Sequence, residues 1–427
     1  MTCFRFLFLL LTLGLHGLAC AQNTAPYVIM IGVDGLRPAS MNAHDSPNLY
    51  KLAQKGIHAR GMRPAMPSKT FVNFYSLATG LHPEHHGLVS NYPFDRKLKR
   101  AFSRKTDTTK DYWWGGEPIW ITAEKQGVKS ATYYWVGSET PIGNVRPSFW
   151  KPFNQSKDYG ERVTEVLQWL SLPEAERPHF VTLYFSAVDS AAHMYGVNST
   201  QEIDAIQTVD KHIGNLIAGI EKSGISADSN IIVLSDHGMI NLSGERIINL
   251  DSQVDWSQFA IPDWHNKITP VYAPFLNLYG DEAHVDSAYK ALTENTIEHL
   301  RVIKRGALPA NYHFDHPQRG PDLMLLADPG WSVFASKDNS VPDPTKLENK
   351  ATHGYDNQAP EMAATFIASG PAFASSQDSK PVAPFDNIEV YNVIACALGI
   401  TPAKNDGNLQ HVSYLLSAQY QQCLTQF

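Results

Sequence analysis

Four short runs of nearly continuous apolar residues constrain the fold of this 427-residue chain more than any other feature of its sequence. The runs cover residues 27–33, 180–185, 230–234 and 363–368. Such runs are typical of strands that are buried on both faces of a sheet. Between them, apolar residues at 163, 166, 167 and 170, and again from 203 to 220, recur at intervals that give a helix one apolar face. Alternating strands and helices predict an α/β sandwich with a mostly parallel central sheet flanked by helices.

A different pattern occupies the residues from about 248 to 344. Two strand-like runs, 275–279 and 323–326, enclose a helical stretch that we expect to extend from Val285 to Leu300. We interpret this region as a small α+β subdomain inserted into the core fold. Because the chain contains no fixed-period repeat and no Gly/Ser-rich linker, residues 22–427 are predicted to form one unit.

The first 21 residues have the pattern of a secretory signal peptide. Arg5 precedes an apolar stretch from Phe6 to Leu13, and the small residues around Ala21 suit a cleavage site. This stretch is too short for a membrane span, so the sequence predicts an exported protein, periplasmic or secreted, with no transmembrane span in the mature chain. The alternative takes Cys20 as the lipid-modified first residue of a bacterial lipoprotein, a reading that Gly17 disfavours.

Charge and cysteine content narrow the functional classes. The chain has 35 Lys and Arg against 42 Asp and Glu, a formal net charge of −7. This balance lacks the basic character of nucleic-acid-binding surfaces, although a nucleotide-sized substrate remains compatible with it.

After cleavage at Ala21 only Cys396 and Cys423 remain. In an oxidising compartment such a pair most simply forms one disulfide; two free thiols are the alternative.

Acidic residues and histidines recur where the predicted strands end. The six candidates are Asp34 after the first strand, Asp189 and His193 after the second, Asp236 and His237 after the third, and His353 shortly before the fourth. Taken singly, each has an ordinary explanation, such as a polar pair on a helix surface or an aspartate that caps a turn. In open α/β sheets, however, functional residues collect past the carboxyl ends of the strands. Three aspartates and three histidines at one edge suffice for two metal ions.

Thr70 is the candidate nucleophile. It lies where an apolar helical face that includes Phe71 and Phe74 begins, and helix N-termini favour anions through their free N–H groups. The alternative makes Thr70 or Ser68 a simple helix cap. Asn91 is a second candidate, although an asparagine in this context is an ordinary turn residue by default.

Several motifs in order resemble the nucleotide pyrophosphatase/phosphodiesterases of the alkaline phosphatase superfamily. They are PSKTFVNFYS at 67–76, TGLHPEHHG at 79–87, GEPIW at 116–120, DSAAHMYG at 189–196, LSDHGM at 234–239, ADPGW at 327–331 and HGYDN at 353–357. The resemblance covers nearly the whole mature chain. It implies an alkaline-phosphatase-like sandwich and a phosphodiesterase catalytic domain at 22–427.

The resemblance also implies two zinc ions and a role for each candidate. It assigns Asp34, Thr70, Asp236 and His237 to one ion, and Asp189, His193 and His353 to the other; other divalent metals suit the same ligands. Thr70 would attack the phosphorus and form a phospho-threonine intermediate. Asn91, with the backbone N–H of Thr70 or Phe71, would hold a non-bridging phosphate oxygen.

The expected substrate is a nucleotide phosphodiester or pyrophosphate, which would be cleaved to a nucleoside 5′-monophosphate. Phe71 directly follows the candidate nucleophile, and Phe153 resembles a position where related enzymes place an aromatic ring against the base, so the resemblance implies a clamp of the two rings; ordinary core packing is the alternative for each. Three alternatives stay open at this point. They are a phosphodiesterase for choline-type lipid headgroups, a phosphate monoesterase, and a catalytically silent binding protein, although no ligand or nucleophile is lost from the sequence.

Overall fold

The computed structural model describes residues 26–262, 271–336, 340–375 and 380–425. The strands are β1 Tyr27–Val33, β2 Ile57–His58, β3 Met62–Arg63, β4 Phe94–Asp95, β5 Arg100–Ala101, β6 Ser130–Tyr133, β7 Phe149–Lys151, β8 Phe180–Phe185, β9 Ser229–Leu234, β10 Ile240–Asn241, β11 Ile247–Asn249, β12 Val271–Ala273, β13 Phe275–Leu278, β14 Leu300–Lys304, β15 Leu323–Ala327, β16 Ser332–Ala335, β17 Ala351–Thr352, β18 Phe366–Ser369 and β19 Phe385–Asp386. The α-helices are α1 Pro47–Lys55, α2 Thr70–Thr79, α3 Pro83–His86, α4 Ile119–Lys125, α5 Tyr159–Leu170, α6 Ala187–Tyr195, α7 Thr200–Lys222, α8 Glu282–Thr293 and α9 Val390–Leu398.

A seven-stranded sheet forms the centre of the molecule, in the order β2-β18-β9-β1-β8-β6-β7. Strand β1 pairs in parallel with both β8 and β9, and β6 pairs in parallel with β8 and β7. Only β18 runs against its two neighbours in this sheet. The prediction of an α/β sandwich with a mostly parallel sheet is therefore confirmed.

Each face of the sheet packs on its own hydrophobic core. Along β1, Val28 and Met30 belong to one core, whereas Ile29 and Ile31 belong to the other. This alternation follows from the two-residue period of a strand, and it explains why the run is apolar throughout. Helices α2, α4 and α9 contribute to the first core, and α1, α5 and α7 to the second.

The fourth predicted strand starts later than predicted, and it runs antiparallel to its neighbours. Strand β18 begins at Phe366, because Ala364 pairs instead with Met62 outside the sheet. Its antiparallel pairing with β9 brings Phe366 opposite Leu234, the last residue of β9. The start of β18 therefore lies at the same edge as the carboxyl end of β9, which explains how His353, upstream of β18, reaches that edge.

Two three-stranded sheets, β11-β16-β12 and β13-β15-β14, occupy the region between residues 247 and 335, and a third hydrophobic core packs against them. The predicted helix in this region was too long at its C-terminal end. Helix α8 ends at Thr293, and Leu300, which was predicted to be helical, begins strand β14. The boundaries of the inserted subdomain, at about 248–344, stay a prediction.

The predicted disulfide is present: Cys396 on α9 is joined to Cys423, and their Cα atoms are 5.8 Å apart. The signal peptide and the alternative at Cys20 lie outside the described residues. Among the helices that the structure describes, none is both long enough and apolar enough to cross a membrane.

Candidate active site

Three neighbouring strands bring the predicted acids to one edge of the sheet. Asp34 directly follows β1, Asp189 lies in the first turn of α6 after β8, and Asp236 lies two residues after β9. The backbone links these ends, since the Asp189 N–H donates to the Asp34 carbonyl oxygen at 3.1 Å. Gly35 has a positive φ of 68°, and a Cβ at this position would lie 3.1 Å from the Asp189 Cα. A side chain at residue 35 would therefore disturb both the turn and the approach of Asp189.

The three histidines are held in one tautomer by the backbone. In each ring Nδ1 lies within hydrogen-bond distance of a carbonyl oxygen: His193 to Ala351 at 2.8 Å, His353 to Ser68 at 2.7 Å and His237 to Gly238 at 2.9 Å. A carbonyl can only accept, so the proton resides on Nδ1 and the Nε2 lone pair is left for another partner. This is the arrangement of metal-binding histidines, whose second nitrogen is fixed by an outer hydrogen bond.

The Nε2 atoms lie against carboxylate oxygens that also lack a donor. His237 Nε2 is 2.9 Å from Asp236 Oδ2 and 3.5 Å from Asp34 Oδ1. His193 Nε2 is 3.2 Å from Asp189 Oδ1, and His353 Nε2 is 3.7 Å from the same oxygen. These three carboxylate oxygens are buried and make no hydrogen bond in the described part of the chain. The lone pairs of the Nε2 atoms and of these oxygens point at one another and repel. A cation placed between them would remove the repulsion, so these nitrogen and oxygen atoms fit metal ions.

Burial and crowded charges shift the pKa values of two groups in the site. Burial, together with the charges of Asp236 and Asp189, raises the pKa of Asp34 well above its ordinary value. Burial, followed by the charge of His237, holds the pKa of His353 well below its ordinary value. A neutral imidazole beside crowded carboxylates is the state that binds a divalent metal.

Two groups of three residues have ligand atoms that all lie within 4.8 Å of one another. One group is Asp189, His193 and His353; the other is Asp34, Asp189 and His237. Asp189 belongs to both groups, which the sequence did not indicate. Asp236 contacts the second group through His237. The described residues can therefore hold metal, and the assignment of individual ligands to two separate ions stays a prediction.

Thr70 is the first residue of α2, and the residue before it, Lys69, occupies the cap position without a side-chain cap. The Thr70 hydroxyl oxygen lies 3.3 Å from His237 Nε2. The alternative in which Ser68 caps the helix does not apply, because Lys69 occupies the cap position and the Ser68 hydroxyl oxygen accepts from the Gly354 N–H at 3.1 Å instead. The Thr70 hydroxyl thus faces the candidate metal ligands.

Asn91 is fixed by the residue that follows the candidate nucleophile. The Phe71 N–H donates to Asn91 Oδ1 at 2.9 Å, which assigns the oxygen of the amide to that side. The Asn91 NH₂ group makes no hydrogen bond to any described residue, and Asn91 lines the cavity beside Thr70. The donor left for a phosphate oxygen is therefore the Asn91 amide, since the Phe71 N–H is already engaged.

A cavity of about 530 Å³ opens above these groups. Eight predicted site residues line it: Asp34, Thr70, Phe71, Asn91, Phe153, Asp189, His193 and His353. The other two, Asp236 and His237, are buried beneath it. Phe153 is 49% exposed and so is no core residue, although its ring contacts Tyr134 at 5.3 Å between centroids. Its side chain therefore remains accessible to a ligand in the cavity.

Sequence reasoning missed Tyr184, which lies within the apolar strand β8. Its hydroxyl donates to Asp34 Oδ2 at 2.5 Å, and its ring lines the cavity. Nothing in the run 180–185 distinguishes this tyrosine from a core residue. Arg104 and Glu139 also line the cavity and were missed, because both come from loops without a recognisable motif.

Comparison with known proteins agrees with this geometry. The family model described as type I phosphodiesterase/nucleotide pyrophosphatase matches residues 28–356. Ectonucleotide pyrophosphatase/phosphodiesterase family member 1 of Mus musculus is 35% identical over 93% of this chain and 43% of its own length. Venom phosphodiesterase 2 of Crotalus adamanteus is 37% identical over 91% of this chain and 47% of its own length. The chain thus spans less than half the length of these curated relatives.

Solved structures extend the likeness to the fold. Murine ectonucleotide pyrophosphatase/phosphodiesterase 5 superimposes with a TM-score of 0.82 at 28% identity, covering 92% of this chain and all of that one. The same murine protein, as an inactive threonine-to-alanine variant in complex with AMP, matches equally well. These likenesses confirm the resemblance inferred from the motifs. The chain belongs to the type I phosphodiesterase/nucleotide pyrophosphatase family.

Proposed function

We propose that this protein hydrolyses nucleotide phosphodiester and pyrophosphate bonds and releases nucleoside 5′-monophosphates. The observation that carries the proposal is the Thr70 hydroxyl at the start of α2, 3.3 Å from His237 and beside three buried carboxylate oxygens that lack a donor. A hydroxyl in that position matches the activated nucleophile of a two-metal phosphotransfer site. The family membership and the AMP complex of the murine relative support a nucleotide substrate.

In the proposed reaction, the Thr70 hydroxyl loses its proton to solvent and its oxygen attacks the phosphorus. The bond to the leaving group breaks, the leaving oxygen departs with the electron pair, and the nucleoside monophosphate stays on Thr70 as a covalent ester. Water then attacks the same phosphorus and gives up a proton to solvent, the bond to Thr70 breaks, and the Thr70 oxygen takes up a proton to regenerate the hydroxyl. The Asn91 NH₂ group and the Thr70 N–H at the start of α2 would donate to the non-bridging oxygens during both steps.

We assign two zinc ions to the aspartate and histidine ligands, since imidazole nitrogens with carboxylate oxygens suit zinc well. When bound, the ions would supply positive charge to the attacking and leaving oxygens. The residues of the chain prepare this site themselves, because the backbone carbonyls fix the histidine rings and Tyr184 holds Asp34.

The nucleoside would lie in the aromatic part of the cavity. Phe71 follows the nucleophile, Phe153 is exposed on the cavity wall, and a base between the two rings would gain about 1–3 kcal/mol from stacking. A choline-type headgroup fits this space less well. Arg104 and Lys105 line the same cavity and would repel its fixed positive charge.

The test compares kcat/KM for the nitrophenyl ester of a nucleoside 5′-monophosphate with that for nitrophenyl phosphate, each with and without a chelator. We expect a large preference for the diester that the chelator abolishes and zinc restores. A preference for the monoester would reassign the protein as a phosphatase. Turnover of nitrophenylphosphocholine alone would favour a headgroup phosphodiesterase, and no turnover of any ester would favour a silent protein.

Thr70→Ala tests the nucleophile. We expect kcat to fall by about 10⁴-fold or more while zinc content stays unchanged, since the hydroxyl is only one of several ligands. The matched control is Thr164→Ala, which removes a hydroxyl bonded only within α5. A Thr70→Ala enzyme with nearly normal turnover would refute the covalent mechanism.

We further propose that the enzyme acts outside the cytoplasm. The disulfide between Cys396 and Cys423 suits an oxidising compartment, and a relative is named as a venom phosphodiesterase. Mass spectrometry of the mature N-terminus tests the leader, with Gln22 expected as the first residue. A lipid-modified Cys20 would favour the lipoprotein alternative.

A further inference from the structure

Two cations line the aromatic part of the cavity. Neither Arg104 nor Lys105 forms an ion pair in the part of the chain that the structure describes. The carboxylate of Glu139, on the same wall, already accepts from the Phe153 N–H at 2.9 Å and from the Thr108 hydroxyl at 3.3 Å. The arginine therefore keeps its hydrogen-bond donors for something that enters the cavity.

Aromatic rings hold the Arg104 guanidinium in place. Its central carbon lies 4.7 Å from the ring centroid of Tyr92 and 5.9 Å from that of Phe71. A guanidinium that packs over ring faces keeps the N–H groups at its edges available, and these groups form a planar fork. Arg104 is thus a positioned donor pair beside the ring that directly follows the nucleophile.

The direction of the proposed reaction decides which part of a substrate reaches this donor pair. In an in-line displacement, the leaving group departs on the side opposite to Thr70, towards the group formed by Asp189, His193 and His353. The nucleoside is the part that stays on Thr70, and its base would lie along Phe71. A base stacked on this ring places its edge near Arg104, whereas the departing phosphate points away from it.

We propose that Arg104 is a specificity-determining residue that favours guanine over adenine. Guanine presents two adjacent acceptors, O6 and N7, that match a guanidinium fork, whereas adenine presents an amino group that would oppose the same donors. Lys105 adds positive charge but no fork, and serves as the matched control. This inference rests on the proposed nucleotide activity and adds a base preference to it.

The experiment measures kcat/KM for the nitrophenyl esters of GMP and AMP, with methyl nitrophenyl phosphate as a diester that has no base. In the wild-type enzyme we expect a guanine preference of about tenfold. Arg104→Met keeps much of the side-chain length and should bring the ratio close to one through a higher KM for the GMP ester. Turnover of the base-free ester should not change. Lys105→Met should keep the preference.

Arg104→Lys keeps the charge and removes the fork, so it should also lose most of the preference. An unchanged guanine-to-adenine ratio in Arg104→Met would overturn the inference. The inference would also be overturned if Arg104→Met lowered kcat/KM equally for GTP and ATP and left kcat/KM for the nitrophenyl esters unchanged. That result would assign Arg104 to a distal phosphate instead.

Binding measurements separate this inference from the proposed activity. Calorimetric titration of the zinc-loaded Thr70→Ala protein with GMP and with AMP measures the two affinities and needs no turnover. If no ester is hydrolysed but GMP binds about tenfold more tightly than AMP, and Arg104→Met removes that difference, the proposed function fails and the base preference stands. Equal affinities for GMP and AMP overturn the base preference, whatever the enzyme hydrolyses.

Discussion

Two regions of this molecule gather histidines, and they are built in opposite ways. In the candidate active site, the backbone takes the Nδ1 atoms, and the Nε2 atoms converge on carboxylate oxygens that lack a donor. Around α3, two histidines each pair with one acid. His85 Nδ1 lies 2.7 Å from Asp406, and His313 Nδ1 lies 3.1 Å from Glu84. In the active site, hydrogen-bond acceptors therefore face one another without a donor between them. Around α3, each of these histidines has its own acidic partner.

The difference shows what separates a metal site from a group of histidines. The segment 82–86 has three histidines in five residues, a denser set than any around the candidate site. His86 is buried, and its two ring nitrogens contact the Ser76 hydroxyl and the Leu88 N–H. The density of histidines in the sequence is therefore a poorer indicator of a metal site than hydrogen-bond acceptors that lack a donor in the fold. The comparison can be tested at three levels.

The largest effect is expected from His353→Ala compared with His85→Ala. Loss of His353 removes a buried nitrogen from the group that it forms with Asp189 and His193, so bound zinc should fall by about one ion per chain. We expect kcat/KM for the nucleotide ester to fall by about 10³-fold or more. Metal analysis by mass spectrometry after dialysis measures the first quantity.

His85→Ala should leave zinc content and turnover within about twofold of wild type, since this histidine is paired on the surface with Asp406. If both variants lost metal, the cluster around α3 would be a second site and the comparison would fail. If neither variant lost metal, the assignment of His353 would be wrong.

A smaller effect is expected from Tyr184→Phe. The Tyr184 hydroxyl donates to Asp34 Oδ2, which leaves Oδ1 directed at His237. Without this bond the carboxylate can rotate, and outer hydrogen bonds of this kind change metal affinity or activity by about 10–100-fold. Zinc affinity measured with a competing chelator provides a readout that is independent of turnover.

Tyr112→Phe is the matched control. Its hydroxyl also donates to an aspartate, Asp95, at 2.9 Å, but Arg319 pairs with that carboxylate at 3.0 Å, and no histidine of the described residues forms an ion pair with it. We expect its zinc affinity to stay unchanged. Equal affinities in Tyr184→Phe and the wild type would show that packing alone orients Asp34.

The sequence predicted the parts of the fold that depend on period and burial. The run 27–33 is strand β1 residue for residue, because every position of a strand between two cores must be apolar. The antiparallel direction of β18 was not predicted, since a short apolar run has no polarity of its own. The early end of α8 was also missed. Its apolar residues continue past Thr293 into a strand, and a pattern of apolar residues alone does not show where a helix stops.

For the site, the sequence supplied the ligand types and their place at the strand ends, and the structure supplied the contacts between them. That Asp189 belongs to both groups of ligands depends on distances that no spacing encodes. The same holds for Asn91, whose oxygen is engaged by Phe71. Tyr184 is invisible in the sequence because a tyrosine in a strand is ordinarily a packing residue.

The smallest effect concerns His82, whose ring stacks on His313 with centroids 3.9 Å apart. Burial, followed by the charge of His313, lowers the pKa of His82 from 6.5 to about 4. The unfolded chain therefore binds a proton there between pH 6.5 and 4 that the folded chain does not, so stability falls as the pH falls through this window. His82→Gln should reduce the loss of melting temperature between pH 7 and 5 by about 2 °C, whereas His284→Gln, at an exposed position of α8, should not. Since all three proteins keep the same metal ligands, acid release of zinc cancels from the comparison.

Equal acid sensitivity in His82→Gln and wild type would mean that protonation of the stacked pair of histidines costs no stability. The α3 cluster would then be neither a metal site nor an acid-sensitive contact.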